Sequence, residues 1–273
     1  MNNFSTRTLT ALFFVIAIVG SAVLGQTVFS FLLLIITFLG VNEFITLISN
    51  ENIQPAKWPT LIAGVIVYSI FAAHAMGLIE LTGLLVIFPT VFLLFILELW
   101  RNKAHPFINI ALSMAAVIYI AVPLGLMMYF FDSVVLSGPF HYGIVLGFLF
   151  ILWANDTGAY LVGSVIGKHK LFERISPGKT WEGSIGGAVF ALLVAWGLSH
   201  FFKQLDSPQW MILSVIIVIS GTLGDLVESM LKRSLGIKDS GNFFPGHGGI
   251  LDRFDAVLLS VPFVFVYLAL FCR

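Results

Sequence analysis

Long apolar stretches follow one another along the chain, and shorter polar connections separate them. A helix needs about 17–25 apolar residues to cross the hydrocarbon core of a bilayer, and this criterion predicts nine spans. Their approximate bounds are 8–24, 27–48, 60–79, 83–99, 108–131, 142–164, 184–202, 210–231 and 254–272. The apolar runs are continuous and do not alternate with polar residues, which argues against a β-barrel. We therefore expect an all-α integral membrane protein.

The composition supports this expectation. Of the 273 residues, 59% are hydrophobic and only 10% are charged, whereas a soluble domain usually has about 25% charged residues. The formal net charge is zero, so no overall field attracts nucleic acid. The single cysteine, Cys272, cannot form an intramolecular disulfide.

The first predicted span has a second interpretation as a cleavable signal peptide. Arg7 precedes the apolar run, and small residues occur at Gly20, Ser21 and Ala22. The run is long for a signal peptide, however, and no clear Ala-x-Ala site ends it. An uncleaved first helix is the better prediction.

The basic residues indicate how the spans are oriented. If nine helices alternate, 12 of the 14 lysines and arginines fall on one side, and only Lys203 and Arg273 fall on the other. Basic residues concentrate in cytoplasmic loops, so we expect a cytoplasmic N-terminus and an external C-terminus. Two longer loops, at about 165–183 and 232–253, then face the cytoplasm. They divide the chain into N-terminal membrane helices, 1–140, and a polar C-terminal region, 141–273.

A few carboxylates lie within or at the ends of the predicted spans. Burying one at the bilayer centre costs about 2.5–3.5 kcal/mol or more. Glu98 lies close to Arg101, so we interpret it as an interfacial, structural residue. Glu43 fits structural pairing and site lining equally well. Asp156 lies well inside its span and needs a partner or water, which favours a functional role.

The eighth span has the most specific local pattern. Asp225, Glu228, Ser229 and Lys232 are spaced i, i+3, i+4 and i+7, so they share one face of a helix. A structural ladder of ion pairs would also have this spacing. Such a ladder does not explain the loop that follows, which ends in "PGHGGILDRFD".

That loop contains a second pair of acids. Asp252 and Asp255 stand at the start of the last span, where Asp255 could also be a simple helix-capping residue. We expect Asp252 to approach Asp225 where the last two spans meet. Carboxylate oxygens together with substrate phosphates suit Mg²⁺, whereas one cysteine and scattered histidines do not suit zinc.

The other long loop contains "ERISPGKTWEGS", with Ser176, Lys179 and Thr180 just before the seventh span. A phosphate-binding P-loop would require glycine at position 173, where this chain has Glu173. What remains is a basic, hydroxyl-bearing turn at the start of a helix, which is a plausible anion site.

These segments together resemble a known family. The run from Ser229, Lys232 and Arg233 through Lys238 and Asp239 to "HGGILDRFD" resembles the signature of CDP-diacylglycerol synthases, also called phosphatidate cytidylyltransferases. "SPGKTWEG" and "WANDTGAY" also resemble segments of that family. Gly178 departs from the pattern, since many relatives have a basic residue there.

The resemblance implies a reaction and its components. CTP and phosphatidate would give CDP-diacylglycerol and pyrophosphate with Mg²⁺, with K⁺ as a possible second cation, in a homodimer of an inner-membrane protein of bacterial type. We expect metal ligands at Asp225 and Asp252, completed by Glu228, Asp255 and Asp156. The catalytic and phosphate-binding groups expected with them are Lys232, Arg233, His247 and Arg253, and the substrate-binding residues are Ser176, Lys179, Thr180, Ser229, Lys238, Asp239, Gly248 and Gly249.

Two alternatives remain open at this point. One is a CTP-dependent transferase that acts on another membrane lipid, such as an ether-lipid phosphate or a polyprenol. The other is a cation-coupled transporter, because intramembrane carboxylates also serve carriers. The asymmetry between the two halves of the chain makes a transporter the weaker alternative.

Overall fold

The computed structural model describes residues 3–131, 142–241 and 248–272. Most of these residues are helical. The helices are α1 (Asn3–Leu24), α2 (Gln26–Ile48), α3 (Lys57–Ala75), α4 (Ile87–Glu98), α5 (Pro106–Ala116), α6 (Val122–Met127), α7 (Gly143–Ile166), α8 (Trp181–Phe201), α9 (Ser207–Ser234) and α10 (Leu251–Phe271). Shorter segments are a 3₁₀ turn before α4 (Leu81–Val86), a π-helical turn between α5 and α6 (Val117–Ala121) and a 3₁₀ turn after α6 (Met128–Phe130).

The expected all-α integral membrane architecture is confirmed. Among the described residues, eight helical segments are long and apolar enough to cross a membrane. They are Gln26–Ile48, Lys57–Ala75, Leu81–Glu98, Pro106–Phe130, Gly143–Ile166, Trp181–Phe201, Ser207–Ser234 and Leu251–Phe271. The first predicted span falls in α1, and the part of α1 whose side chains the structure describes, Leu12–Leu24, is apolar. The orientation of the termini and the division at residue 140 stay predictions.

The burial of side chains fits a protein surrounded by lipid. Large apolar side chains such as Phe107 and Val165 are exposed, and an outward apolar surface of this kind is what contact with acyl chains requires. The interior is also packed, and Trp210 at the start of α9 is fully buried against Gly147 of α7.

A small β-hairpin lies in the loop between α7 and α8, where no strand was predicted. Strands β1 (Lys170–Phe172) and β2 (Ser176–Thr180) pair antiparallel, with Lys170 opposite Thr180 and Phe172 opposite Ser176. The hairpin leads directly into α8, whose N-cap is Thr180. The Thr180 hydroxyl accepts a hydrogen bond from the backbone N–H of Gly183 at 3.2 Å, so the predicted hydroxyl-bearing turn does begin a helix.

Glycines allow α7 and α8 to pack closely. A Cβ atom on Gly187 would lie 2.6 Å from the carbonyl oxygen of Asn155, and one on Gly183 would lie 2.9 Å from that of Ala159. Gly163 and Gly183 also face each other across the contact. The small-residue spacing in these helices therefore serves close packing.

Replacing Gly187 with alanine is expected to destabilise the protein, since backbone of α7 would have to move to admit the methyl group. Overpacking of this kind costs about 1–3 kcal/mol. The matched control is Gly197→Ala in the same helix, because no described atom lies within 4 Å of the position of its added Cβ. Thermal unfolding in detergent should show a lower melting temperature for the first variant and an unchanged or higher one for the second. Equal melting temperatures would contradict the packing described.

The last two long helices also meet at glycine. A Cβ atom on Gly224 of α9 would lie 2.6 Å from the carbonyl oxygen of Asp255 in α10, and one on Gly221 would lie 3.4 Å from the hydroxyl of Ser260. From the first of these contacts to the second, the residue number decreases on α9 and increases on α10, so the two helices run antiparallel. This crossing places their acidic residues side by side.

Candidate active site

A cleft of about 390 Å³ lies between α7, β2, α8 and α9. We call it the Asp225 cleft. Its polar lining includes Asn155, Asp156, Tyr160, Lys179, Thr180 and Asp225. The hairpin and three membrane helices therefore contribute to one polar cavity inside a largely apolar protein.

Lys179 of β2 forms an ion pair with Asp225 of α9 across this cleft. Each side chain is 26% exposed, so the pair lines the cavity and can be reached from it. The sequence assigned Lys179 to phosphate and Asp225 to a metal, and the structure places the two predicted groups in direct contact.

Two further acids lie beside this pair. The carboxyl group of Asp255 is within hydrogen-bonding reach of that of Asp225. Asp156 is exposed to the cleft, close enough to Asp225 and Lys179 for their charges to interact. Asp255 and Asp156 thus add two carboxyl groups beside the Lys179–Asp225 pair, and this excess of negative charge favours a bound cation.

A second charged group lies about one to two turns further along α9. The ammonium group of Lys232 is 2.6 Å from Oε2 of Glu228 and 2.7 Å from Oδ1 of Asp252. The Glu228 side chain is only 2% exposed. The Glu228–Lys232 contact is the i, i+4 ion pair that a structural ladder requires, so the structural interpretation of α9 applies to this part of it.

The pairing of acids differs from the expected one by a helical turn. We expected Asp225 to approach Asp252, but Asp225 contacts Asp255, and the carboxyl of Glu228 lies within hydrogen-bonding reach of Asp252. In antiparallel helices the first acid of one helix meets the second acid of the other. The four acids therefore include two close pairs, and the charge of Glu228 also reaches Asp255.

Asp252 is also held by the backbone. Its Oδ2 accepts hydrogen bonds from the N–H groups of Ser240 at 2.9 Å and Gly249 at 2.8 Å. Gly248 has a φ of +80°, a left-handed conformation that favours glycine, and a side chain there would meet Asp252. Described residues on both sides of the loop before α10 thus bind this one carboxylate.

The remaining predicted residues are more dispersed. Ser229 and Ser176 are half-buried, whereas Lys238, Asp239, Arg233 and Arg253 are exposed. The Nε–H of Arg233 donates to the carbonyl oxygen of Ile175, 3.3 Å away, and so links α9 to the hairpin. His247 lies outside the described residues.

Two residues of the N-terminal helices reach the same region. Glu43 of α2 contacts Ser240 and the start of α10. Tyr119, in the π-helical turn, has a buried hydroxyl that finds no partner among the described residues, and it lies near the charges of Asp225, Glu228 and Asp255. The sequence left Glu43 undecided and gave no signal for Tyr119, since neither lies near the acids in the sequence. Glu98 is structural as predicted, because it pairs with Arg101 at 2.6 Å.

The donor set fits a hard divalent cation. Asp225 and Asp255 bring carboxyl oxygens together, and Asp156 faces the same cavity. Among the described residues, no three His, Cys, Asp or Glu side chains are arranged to hold a metal ion by themselves. A cation here would need further oxygens from a substrate, which is the usual situation for Mg²⁺ with phosphates.

Comparisons with known proteins cover nearly the whole chain. The sequence profile of the cytidylyltransferase family matches residues 5–271. The phosphatidate cytidylyltransferase of Staphylococcus aureus (strain COL) is 34% identical over 265 residues, which are 96% of this chain and 98% of that protein. The phosphatidate cytidylyltransferase of Bacillus subtilis (strain 168) is 40% identical over 208 residues, which are 75% of this chain and 73% of that protein.

Proposed function

The chain belongs to the cytidylyltransferase family, and we propose that it transfers the cytidylyl group of CTP to phosphatidate, giving CDP-diacylglycerol and pyrophosphate. The observation that carries this proposal is the Asp225 cleft, where Lys179 pairs with Asp225 close to Asp156 among membrane-spanning helices. The names of the similar proteins support both substrates and do not favour another lipid acceptor or a transporter.

The chemistry requires charge to be neutralised. An oxygen of the lipid phosphate attacks the α-phosphorus of CTP, a new P–O bond forms, and the bond to the β-phosphate breaks to release pyrophosphate. Both reactants are anionic, so fixed cations must hold them together. Lys179 would bind a phosphate oxygen, while Asp225 and Asp255, with Asp156, would hold Mg²⁺. When bound, Mg²⁺ would neutralise phosphate charge on the nucleotide. The attacking oxygen already carries negative charge, so no side chain has to remove a proton from it.

The lipid-facing surface supports a lipid substrate. Tyr160, which lines the cleft, is 75% exposed and lies on α7 next to Leu161, which is 48% exposed. The cleft is therefore continuous with a helix face that contacts acyl chains. A headgroup could enter the cavity from this side while its tails stay among the lipids.

The finer expectations about location belong to the same proposal. We infer that the cleft faces the cytoplasm, where CTP is found, because the loop that contains the hairpin carries Lys168, Lys170 and Arg174. The proposed location is the inner (plasma) membrane of a bacterium, in keeping with the bacterial relatives. A homodimer and a second cation such as K⁺ stay predictions from the resemblance.

The proposal is tested with purified protein in detergent, labelled CTP, phosphatidate and Mg²⁺. We expect a labelled CDP-lipid and one pyrophosphate for each lipid consumed. Parallel reactions contain an ether-lipid phosphate or a polyprenol in place of phosphatidate. Product formed only with one of these acceptors would establish the rival transferase, and no product with any acceptor would refute nucleotidyl transfer.

Removal of divalent cations is expected to abolish this turnover. Excess EDTA should reduce CDP-lipid formation to background, and Mg²⁺ added beyond the chelator should restore it, because the acids of the cleft otherwise repel both substrates. The melting temperature with EDTA serves as the control for unfolding. Full activity in EDTA would exclude the proposed metal role of Asp225 and Asp255.

A further inference from the structure

Glu43 in α2 is bonded to a segment about 200 residues further along the chain. Its carboxylate accepts hydrogen bonds from the Ser240 hydroxyl at 2.5 Å, the Ile250 N–H at 2.8 Å and the Leu251 N–H at 3.0 Å. These contacts join the N-terminal helices to the loop before α10. None of them could be assigned from spacing in the sequence.

The contacts cap a helix that has no side-chain cap of its own. The N-cap residue of α10 is Ile250, which offers no side-chain acceptor, although the first N–H groups of a helix need partners from outside the helix. Glu43 accepts from Ile250 and Leu251 at this end. Its negative charge also suits the positive end of the helix dipole.

The same carboxylate is linked to Asp252 through Ser240. The Ser240 hydroxyl lies 2.5 Å from Glu43 and 2.9 Å from Asp252, so its single proton can be donated to either one. Glycines at positions 241 and 249 allow the Glu43 carboxylate to lie this close to the backbone. A Cβ atom on Gly241 would lie 2.9 Å from Oε2 of Glu43, and one on Gly249 would lie closer still to the same carboxylate. Asp252 in turn binds Lys232.

We propose that Glu43 is a positioning residue for nucleotidyl transfer. It fixes the start of α10 and Ser240, and through them it holds Asp252 and Lys232 in place beside the Asp225 cleft. The inference rests on the proposed function, since positioning is measured as turnover. A purely structural role would affect stability without changing the turnover of the folded enzyme.

The test compares Glu43→Gln with Glu98→Gln. Glutamine keeps the size of the side chain but turns an N–H₂ donor toward groups that need an acceptor. Glu98 is the matched control, a 3% exposed glutamate that binds Arg101 and Asn109 of the N-terminal helices. With activity divided by the folded fraction, we expect kcat/KM for CTP to fall about 10–100-fold in Glu43→Gln and to stay within about twofold in Glu98→Gln.

Two further measurements separate the outcomes. Hydrogen exchange of the Ile250 and Leu251 amides should accelerate in Glu43→Gln but not in Glu98→Gln, and this readout does not depend on activity. Ser240→Ala should give an intermediate loss of kcat/KM, because it removes the link but leaves both amide contacts. If the wild-type enzyme is active, and Glu43→Gln has the same kcat/KM for CTP as Glu98→Gln, the positioning role is refuted while the proposed function stands. An inactive wild-type enzyme would instead refute the proposed function.

Discussion

Replacing Asp225 with asparagine is expected to lower kcat by about 10²–10³-fold, the usual cost of losing one preorganised electrostatic contact at a reacting centre. The side chain keeps its shape but loses the charge that holds Lys179 and that, with Asp255, would bind a cation. We expect little effect on folding, since Asp225 and Lys179 are each 26% exposed and Lys179 can turn toward the cleft. Steady-state formation of CDP-lipid at saturating Mg²⁺ measures the loss.

The same substitution elsewhere in α9 is the control. Asp206 caps the N-terminus of this helix by accepting from the Gln209 N–H at 2.8 Å, and asparagine is nearly as good an N-cap as aspartate. Asp206→Asn should therefore keep both the stability and the activity of the wild type. Wild-type turnover in Asp225→Asn would remove Asp225 from the catalytic centre.

Asp252→Asn is expected to affect stability as well as turnover. Asp252 is 10% exposed and accepts from Lys232 on one oxygen and from Ser240 and Gly249 on the other. An asparagine presents one acceptor and one donor, so either the ammonium group or the loop amides face an N–H₂ group. Breaking a buried ion pair costs about 3–5 kcal/mol, and we expect a loss of about 2–4 kcal/mol because Glu228 still binds Lys232.

The prediction is measured by thermal unfolding in detergent alongside Asp225→Asn and Asp206→Asn. Asp252→Asn should have the lowest melting temperature of the three and should also lose turnover by at least about tenfold after correction for folded protein. A melting temperature equal to that of Asp206→Asn would show that the loop does not depend on this carboxylate.

Local spacing made much of this molecule predictable. The membrane spans follow from uninterrupted apolar runs, and the observed helix ends lie within a few residues of the expected ones. Asp225, Glu228 and Lys232 share a face of α9 because helix geometry fixes that face once the helix is known. The small residues of α7 and α8 likewise lie where the two helices pack closely.

Contacts between distant segments could not be predicted in this way. The pairing of Asp225 with Asp255 depends on where α9 and α10 cross, and that is set by the close approach at Gly224. The bonds from Glu43 to Ile250 join residues 207 positions apart. The hairpin is too short for a periodic signal, although it carries Lys179 to its partner. Sequence spacing therefore predicted which residue types cluster, but not which of them touch.

The contact between Lys179 and Asp225 couples the arrival of two kinds of charge. A phosphate that binds Lys179 would compete with Asp225 for the ammonium group, which would free a carboxylate beside Asp255. If Asp225 held a divalent cation, Lys179 would equally be free to bind an anion. Binding of a phosphate at Lys179 should therefore favour binding of a cation at Asp225, and the reverse. We expect nucleotide and metal to bind with positive cooperativity, and either one alone to bind weakly.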